Sequence, residues 1–354
     1  MDYKYLVCTR CFTFNQSNYI EDAMNGFAMQ ETTFPFVTVI IDDASTDGEP
    51  DVIRKYLREH FQEPFRNEET EYANIICANH KNNPNSQFVV LFLKYNHYSI
   101  KKDKFKYLTE WLNNAKYHAI CEGDDYWIDS MKLQKQVSFL ESHSDFGLIA
   151  SACRSFVQLE QHFYDAVHDK EMELTFEDLL FDNGFATCTV LFKKEYTIEY
   201  KNTIKKRWQT GDYPLWLYIA LQARVYRLAD CTAVYRVLQS SASHSKDPEK
   251  ALAFKLSTMD CTNYFVDKYG LEESKAKELY KQGAQNLLRR GMFFQYRPFV
   301  TEAISYLKKH NLPVGFRYHI CYALLSMKIT KRAVRMFQRI RKFIKKNVLK
   351  NIKR

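Results

Sequence analysis

The chain of 354 residues has no apolar run approaching the roughly 20 residues that would cross a bilayer. "FVVLFL" and "ICYALLSM" are the size of core elements. Ten glycines and eight prolines are too few for low-complexity linkers, and the sequence has no internal repeat. The opening "MDYKYLVCTR" carries Asp2, Lys4 and Arg10 and lacks the apolar stretch of a signal peptide. There is no Walker loop, no G-x-G-x-x-G and no H-E-x-x-H, which removes support for NTPase, nicotinamide and zinc-protease chemistry. The nine cysteines are scattered and odd in number, as expected of reduced thiols in a cytosolic protein. Cys8 and Cys11 form a C-x-x-C, but it has no partner pair and falls in an apparent strand. The C-terminal end combines an absence of acids with a high density of bases. Between Lys328 and Arg354 stand twelve Lys or Arg and no Asp or Glu, leaving 39 basic against 42 acidic residues elsewhere.

What is present is a globular composition, 46% hydrophobic and 15% aromatic. "YLVCT" reads as a buried strand. "SNYIEDAMNGFAMQ" places Ile20, Ala23, Met24 and Phe27 at helical spacing, with Asn18 and Glu21 as a capping box. "FPFVTVII" is a β-branched strand ending on Asp42 and Asp43, and "DVIRKYLREHF" returns to helical period. This order predicts a mostly parallel sheet with helices on both faces. Residues 62–87 are polar and read as an irregular insertion. "DKFKYLTEWLNNA" reads as one helix, "YHAIC" as a strand, "KLQKQVSFL" as a helix, "GLIASAC" and "ATCTVLF" as strands, and "YPLWLYIALQA" as a helix opening after Asp212. Beyond about residue 250 the pattern is helical throughout. The expected organisation is an α/β domain over 1–245, a helical subdomain over 246–327 and a basic amphipathic tail over 328–354.

Three polar sets fall at strand ends: Thr13-Phe14-Asn15, Asp42-Asp43 and Glu122-Asp124-Asp125. In open α/β sheets ligands bind beyond the carboxyl ends of the strands. Two acidic clusters on one such edge point to a shared ligand. Glu122 and Asp124, two apart, face the same side of an extended chain. Carboxylates held together are costly unless a cation or protons neutralise them. Oxygen-only donors select a hard ion, Mg²⁺ or Mn²⁺, and such a pair is suited to holding a diphosphate as a leaving group.

"FTFNQSNYIEDAMNGFAMQETTFPFVTVIIDDASTDG" followed by "AICEGDDYWIDSMKLQKQVSFL" resembles the nucleotide-sugar domain of the family 2 inverting glycosyltransferases, in the bacterial branch that builds surface polysaccharides. The resemblance covers roughly residues 3–245. It implies a GT-A fold, Rossmann-like, with a nucleotide-diphosphate sugar as donor, a UDP-sugar foremost, and so a metal-dependent hexosyltransferase. It implies that Phe12, Thr13 and Phe14 lie along the nucleotide, and that Asp43, with Asp42 beside it, receives the base. Glu122-Gly123-Asp124-Asp125 matches the segment around the metal and ribose. Asp125 is the first choice as ligand, then Asp124, with Glu122 as a third. "TGDYPLWL" matches the segment whose acid is the catalytic base, Asp212. "YRVLQSSASHS" matches the segment closing the donor site, where Arg236 or His244 would meet the diphosphate. Glu122 stands where the family has Asp, Phe14 where it has Tyr, and Ser130 near a family Pro.

Each residue also has a plainer use. Asp42-Asp43 before "STDG" would serve as turn residues, Asp212 as a helix N-cap and His244 as a surface histidine. Tyr126 and Trp127 suit either the core or stacking against an acceptor sugar. The tail repeats Ile329, Ala333, Phe337, Ile340, Ile344 and Val348 at steps of three or four. That pattern fits an anchor on an anionic membrane, or a helix packed on its own domain, or a nucleic-acid patch; the near-neutral body and the absence of any nucleic-acid module favour the membrane. The expectation is a cytoplasmic, peripherally membrane-associated glycosyltransferase acting on a glycan or lipid-linked acceptor, with no nucleic acid as partner. The alternatives are a non-catalytic nucleotide-sugar or glycan-binding module and, third, a nucleotidyltransferase.

Overall fold

The computed structural model describes residues 3–238 and 245–326; His244 and the tail from Lys328 lie outside them. Two compact units emerge, Met1–Arg207 with Gly211–Gln239, and Trp208–Thr210 with Ser240–Arg354.

The first unit begins β1 (Tyr5–Thr13), α1 (Ile20–Ala28), β2 (Phe36–Asp42), α2 (Glu49–His60), β3 (Arg66–Glu69), β4 (Ala73–Asn79), β5 (Ser86–Leu93). It continues α3 (Thr109–Asn113), β6 (Ala115–Ile120), β7 (Tyr126–Trp127), α4 (Lys132–Ser142), β8 (Phe146–Val157), β9 (His162–Val167), β10 (Met172–Leu174). It ends α5 (Phe176–Phe181), β11 (Leu191–Lys193), α6 (Glu195–Thr203), α7 (Tyr213–Gln222) and β12 (Arg224–Val237). The sheet order is β10-β12-β8-β11-β6-β1-β2-β5-β4-β3, with β7 on β12 and β9 on β8. Its centre, β6-β1-β2-β5, is parallel, as is the β8–β12 pair, and antiparallel strands flank them. Every residue of β2 is buried, as a β-branched strand covered on both faces requires. One face packs on Ile20, Met24 and Phe27 of α1, Ile53 and Leu57 of α2, and Leu133 and Val137 of α4. The other packs on Tyr107, Leu108, Trp111 and Leu112. The α/β architecture with helices on both faces is therefore as expected.

Several local expectations give way. Residues 62–87 are not irregular: β3 and β4 pair antiparallel and extend the sheet from β5. The apolar centre of β4, Ile75 to Cys77, is short enough to be hidden by the polar residues around it. No side chain caps α1, because the carbonyl of Gln16 accepts from the amides of Tyr19 (2.8 Å) and Ile20 (3.0 Å). The helix expected over "DKFKYLTEWLNNA" is a 3₁₀ turn, Phe105–Leu108, running into α3, and Ala115 already belongs to β6. The "ATCTVLF" strand opens with a 3₁₀ turn over Thr187–Thr189, so only its end, β11, pairs.

The second unit contains α8 (Pro248–Tyr269), α9 (Glu273–Phe294), α10 (Arg297–Lys309) and α11 (Phe316–Ser326). Leu287, Phe299, Val300, Ala303 and Leu307 form its centre. No helix among the described residues is long and apolar enough to cross a membrane.

Candidate active site

Parallel register decides where the acids emerge. Thr13 stands beside Asp42, and Asp42 beside Phe92 on β5. On the other side of β1, Ile120 pairs with Arg10, and the chain then runs on beside β1. The Cys121 amide donates to Arg10 (3.0 Å) and the Gly123 amide to Phe12 (3.1 Å). The three polar sets thus share the carboxyl edge of the sheet. Gly123 permits this closeness: a Cβ there would sit 2.5 Å from both the Thr13 hydroxyl and the Gln16 side-chain oxygen.

The acids on this edge fall into two kinds. Asp43 is fully buried and accepts from the amides of His97 (2.7 Å) and Tyr98 (3.1 Å) and from the Lys104 ammonium (2.8 Å). It pins the segment after β5 to the end of β2, and exposes no oxygen to a nucleoside base, contrary to the role that the resemblance implies. Glu122 accepts from Arg10 (2.5 Å) and the Phe12 amide (2.9 Å), which takes up the side chain named third for a metal. Asp125 is 4% exposed, and its Oδ1 accepts from the Arg236 amide at 2.8 Å. Burial, then the charge of Asp124, push its carboxyl well above the ordinary carboxylate range. Asp125, the first choice from the sequence, is thus the more enclosed of the two adjacent acids, and Asp124 the more accessible to an ion. Glu122 to Asp125 form a turn closed by the Asp125 amide on the Glu122 carbonyl (3.1 Å), and within it Asp124 remains partly exposed. Its pKa rises to about 6 through burial and the Glu122 charge, against the pull of Arg236 and a Gln16 hydrogen bond.

Asp42, whose Oδ1 accepts from the Ser45 amide at 3.2 Å, is pushed up to about 6 by burial, with the Glu49 charge adding to it. Glu49 itself is fully buried in the first turn of α2. It accepts from the Thr13 hydroxyl, the Gln16 amide (2.9 Å) and the Ser45 hydroxyl (2.8 Å), joining the loops after β1 and β2. Two further bonds lace those loops, from the Asn15 amide to the Ser45 hydroxyl and from the Thr46 amide to the Asn15 side chain, each 2.8 Å. Asn15 and Ala44 adopt left-handed φ of 53° and 62°. The Phe12 ring lies under Arg10 and Lys104, while Phe14 is exposed.

Arg236, expected at the diphosphate, is a strut behind the acids. Its guanidinium donates to the Asp124 carbonyl (3.0 Å) and the Asp22 carboxylate (2.7 Å), between the rings of Tyr19 and Tyr126. Trp127 is core: its indole N–H donates to the Cys188 carbonyl (2.8 Å) and its ring meets Phe27 edge-on. It cannot stack on an acceptor, whereas Tyr126 is only half-buried. Asp212 is the N-cap of α7, with Oδ1 accepting from the Tyr213 amide (2.8 Å) and Oδ2 from the Thr187 hydroxyl. His244 is outside the described residues.

Arg10, Gln16, Glu49 and Lys104 were not anticipated. Glu49 had a signal, since Thr46-Asp47-Gly48-Glu49 has the form of a capping box, but its partners lie across the sheet.

Among the described residues no group of three or more His, Cys, Asp or Glu converges to enclose a metal ion. Mg²⁺ and similar hard ions are commonly held by one or two carboxylates plus substrate phosphates, and Asp124 fits that smaller part.

No protein-family model matches the chain. Over 231 residues it is 29% identical to an uncharacterized protein of Mycobacterium tuberculosis, Rv1520, covering 63% of this chain and 56% of that protein. The chain therefore spans about half the length of the mycobacterial relatives that it matches. It is 23% identical over 253 residues to TuaG of Bacillus subtilis, described as a putative teichuronic acid biosynthesis glycosyltransferase, covering 69% of this chain and 84% of TuaG. The crystal structure of S. aureus TarS matches with a TM-score of 0.54 at 16% identity, over 93% of this chain and 53% of TarS. What these likenesses establish is the architecture: the chain has the GT-A fold, with a C-terminal helical part.

Proposed function

We propose that the chain is an inverting glycosyltransferase of the family 2 type. It takes a sugar from a nucleoside-diphosphate sugar, a UDP-sugar foremost, and passes it to a saccharide acceptor, lipid-linked, in cell-surface polysaccharide synthesis at the inner face of the membrane. The observation that carries the reading is Asp124: a partly exposed carboxylate at the carboxyl edge of parallel strands, beside a Glu122 that is already paired with Arg10. The similarity to TuaG and the fold shared with TarS support the reaction class.

On this reading the exposed Phe14–Asn15 and Ser45–Thr46 loops border the nucleoside, and Asp124 is the protein's ligand for Mn²⁺ or Mg²⁺. Such an ion, when bound, offsets charge on a departing diphosphate. Glu122 and Asp43 keep the two loops in place without meeting the ligand. Asp212 takes the proton of the acceptor hydroxyl as it attacks the anomeric carbon from the face opposite the leaving group. Tyr126 borders the acceptor. Thermal denaturation with UDP, GDP, CDP and dTDP, each with and without Mn²⁺, tests the donor site. Specific binding raises the melting temperature. One nucleotide is expected to do so strongly and only with metal; no response to any of the four would overturn the reading.

A further inference from the structure

The helical unit carries a surface that the candidate site does not use. A groove of about 450 Å³ is lined by Leu288, Arg289, Met292 and Phe293 of α9 and by Arg317 and Cys321 of α11. Phe293 is 79% exposed and Phe316 78%. Along α11, Phe316, Ile320 and Ala323 recur at steps of four and three on an exposed face, while Tyr318 enters the core. This helix therefore presents apolar residues both inward and outward. The surroundings are basic: from Gln285 to Ser326 there are six Lys or Arg and one acid, Glu302.

We propose that the α9–α11 face docks on an anionic lipid bilayer, with Phe293 and Phe316 entering the acyl boundary and Arg289 and Arg317 meeting lipid phosphates. Exposed aromatics beside guanidinium groups match a surface that is apolar below and negatively charged above. Charge argues against the other occupants. The chain's own tail from Lys328 has twelve basic residues and no acid, and would repel Arg289 and Arg317. A second copy docked by the same face would set arginine against arginine. Both exposed arginines lie on well-formed helices, so replacing them leaves the fold intact.

The test is co-sedimentation of the full chain with phosphatidylcholine vesicles with and without 30% phosphatidylglycerol. Each basic residue at such a surface contributes about fivefold to partitioning. The double variant Arg289→Glu/Arg317→Glu is expected to partition at least about 25-fold less onto the anionic vesicles, and Phe293→Ser about fivefold less, both with unchanged melting temperature. Neutral vesicles should bind neither variant nor the wild type. Partitioning equal to wild type in both variants would overturn the proposal, assigning any membrane binding to the tail alone. A halving of native mass by light scattering on Phe293→Ser would also overturn it, marking the face as a contact between copies. No substrate is needed, so the result is independent of the donor-site reading.

Discussion

The ends of β2 and β6 each present consecutive acids to the same edge of the sheet, and each divides them the same way. At β2, Asp43 is closed off by two amides and Lys104, while Asp42 accepts from the Ser45 amide and sits at about 6. At β6, Glu122 is paired with Arg10 and the Phe12 amide, Asp125 is buried on the Arg236 amide, and Asp124 is left partly exposed at about 6. The sealed acids fasten loops. An acid whose charge is left unsatisfied is the one that a bound cation would neutralise. Clustered acids are thus sorted by their donors, not by their number.

Asp212 has features of both kinds, since its two oxygens accept from Tyr213 and Thr187 yet it is only half-buried. Asp212→Asn keeps the size and capping ability of the side chain, so stability should scarcely change. Sugar transfer at saturating donor should fall about 10²–10⁴-fold, the usual contribution of a general base, with donor affinity kept. Normal transfer would place Asp212 with the sealed acids, as a cap.

Asp43→Ala and Asp124→Asn should have opposite consequences. Removing Asp43 leaves a largely buried ammonium and two amides without an acceptor. The expected cost is about 3 kcal/mol in urea denaturation. Asp124→Asn relieves like-charge repulsion, so the apoprotein should be as stable or more so, while metal-dependent nucleotide affinity by calorimetry falls at least tenfold. Asp125→Asn should alter that affinity little. A stable Asp43→Ala protein, or one with Asp124→Asn that binds nucleotide normally, would break the division.

How much of this was readable beforehand follows from what each signal encodes. The strands of the parallel centre announce themselves as β-branched runs, and the acids at their ends as charge after apolar sequence. Which of two adjacent acids faces outward does not appear in the sequence, because Asp124 and Asp125 are chemically the same and differ only in the side of the chain they occupy. Glu122 could not be seen as sealed, since Arg10 lies 112 residues away and meets it only through the β1–β6 register. Glu49 drew no notice for the same reason, since Thr13 and Gln16 come from the loop after β1. Trp127 beside the acids suited either the core or an acceptor sugar; Phe27 and the Cys188 carbonyl, which claim it for the core, come from other elements.

pH offers a gentler probe of the less satisfied acids. Asp42 titrates near 6 when folded against 3.8 as a free side chain. Between those values folded Asp42 binds more protons than it does in the unfolded chain, so its contribution to stability falls as pH rises through that window. Burial raises Glu49 as well, in the same direction. The Asp42 contribution favours pH 4.5 over pH 7 by on the order of 2 kcal/mol. His118, held well below its ordinary range by burial, contributes in the opposite sense, so the measurement compares the slope of wild type with that of the variant. Asp42→Asn should flatten that slope, read from urea denaturation at the two pH values.

The smallest effect concerns Ala44, which joins the sealed Asp43 to the Ser45 that serves Asp42 and Glu49. Its φ of 62° is left-handed, a conformation that costs an alanine roughly 1 kcal/mol and a glycine almost nothing. The loop tolerates this because Ser45 and Thr46, just beyond it, are bonded to Asn15 and Glu49. Ala44→Gly removes the strain but gives the unfolded chain more freedom, worth about 0.4–1 kcal/mol in the opposite sense. The net expectation is stabilisation of about 0.5 kcal/mol or less, measured as a shift in urea midpoint at constant slope. Nucleotide affinity should stay the same, because the Ser45 and Asn15 bonds, not the alanine methyl, set the loop. A gain in stability with weakened nucleotide binding would mean that the strained backbone itself shapes the donor edge, and that the sealed acids alone do not hold it.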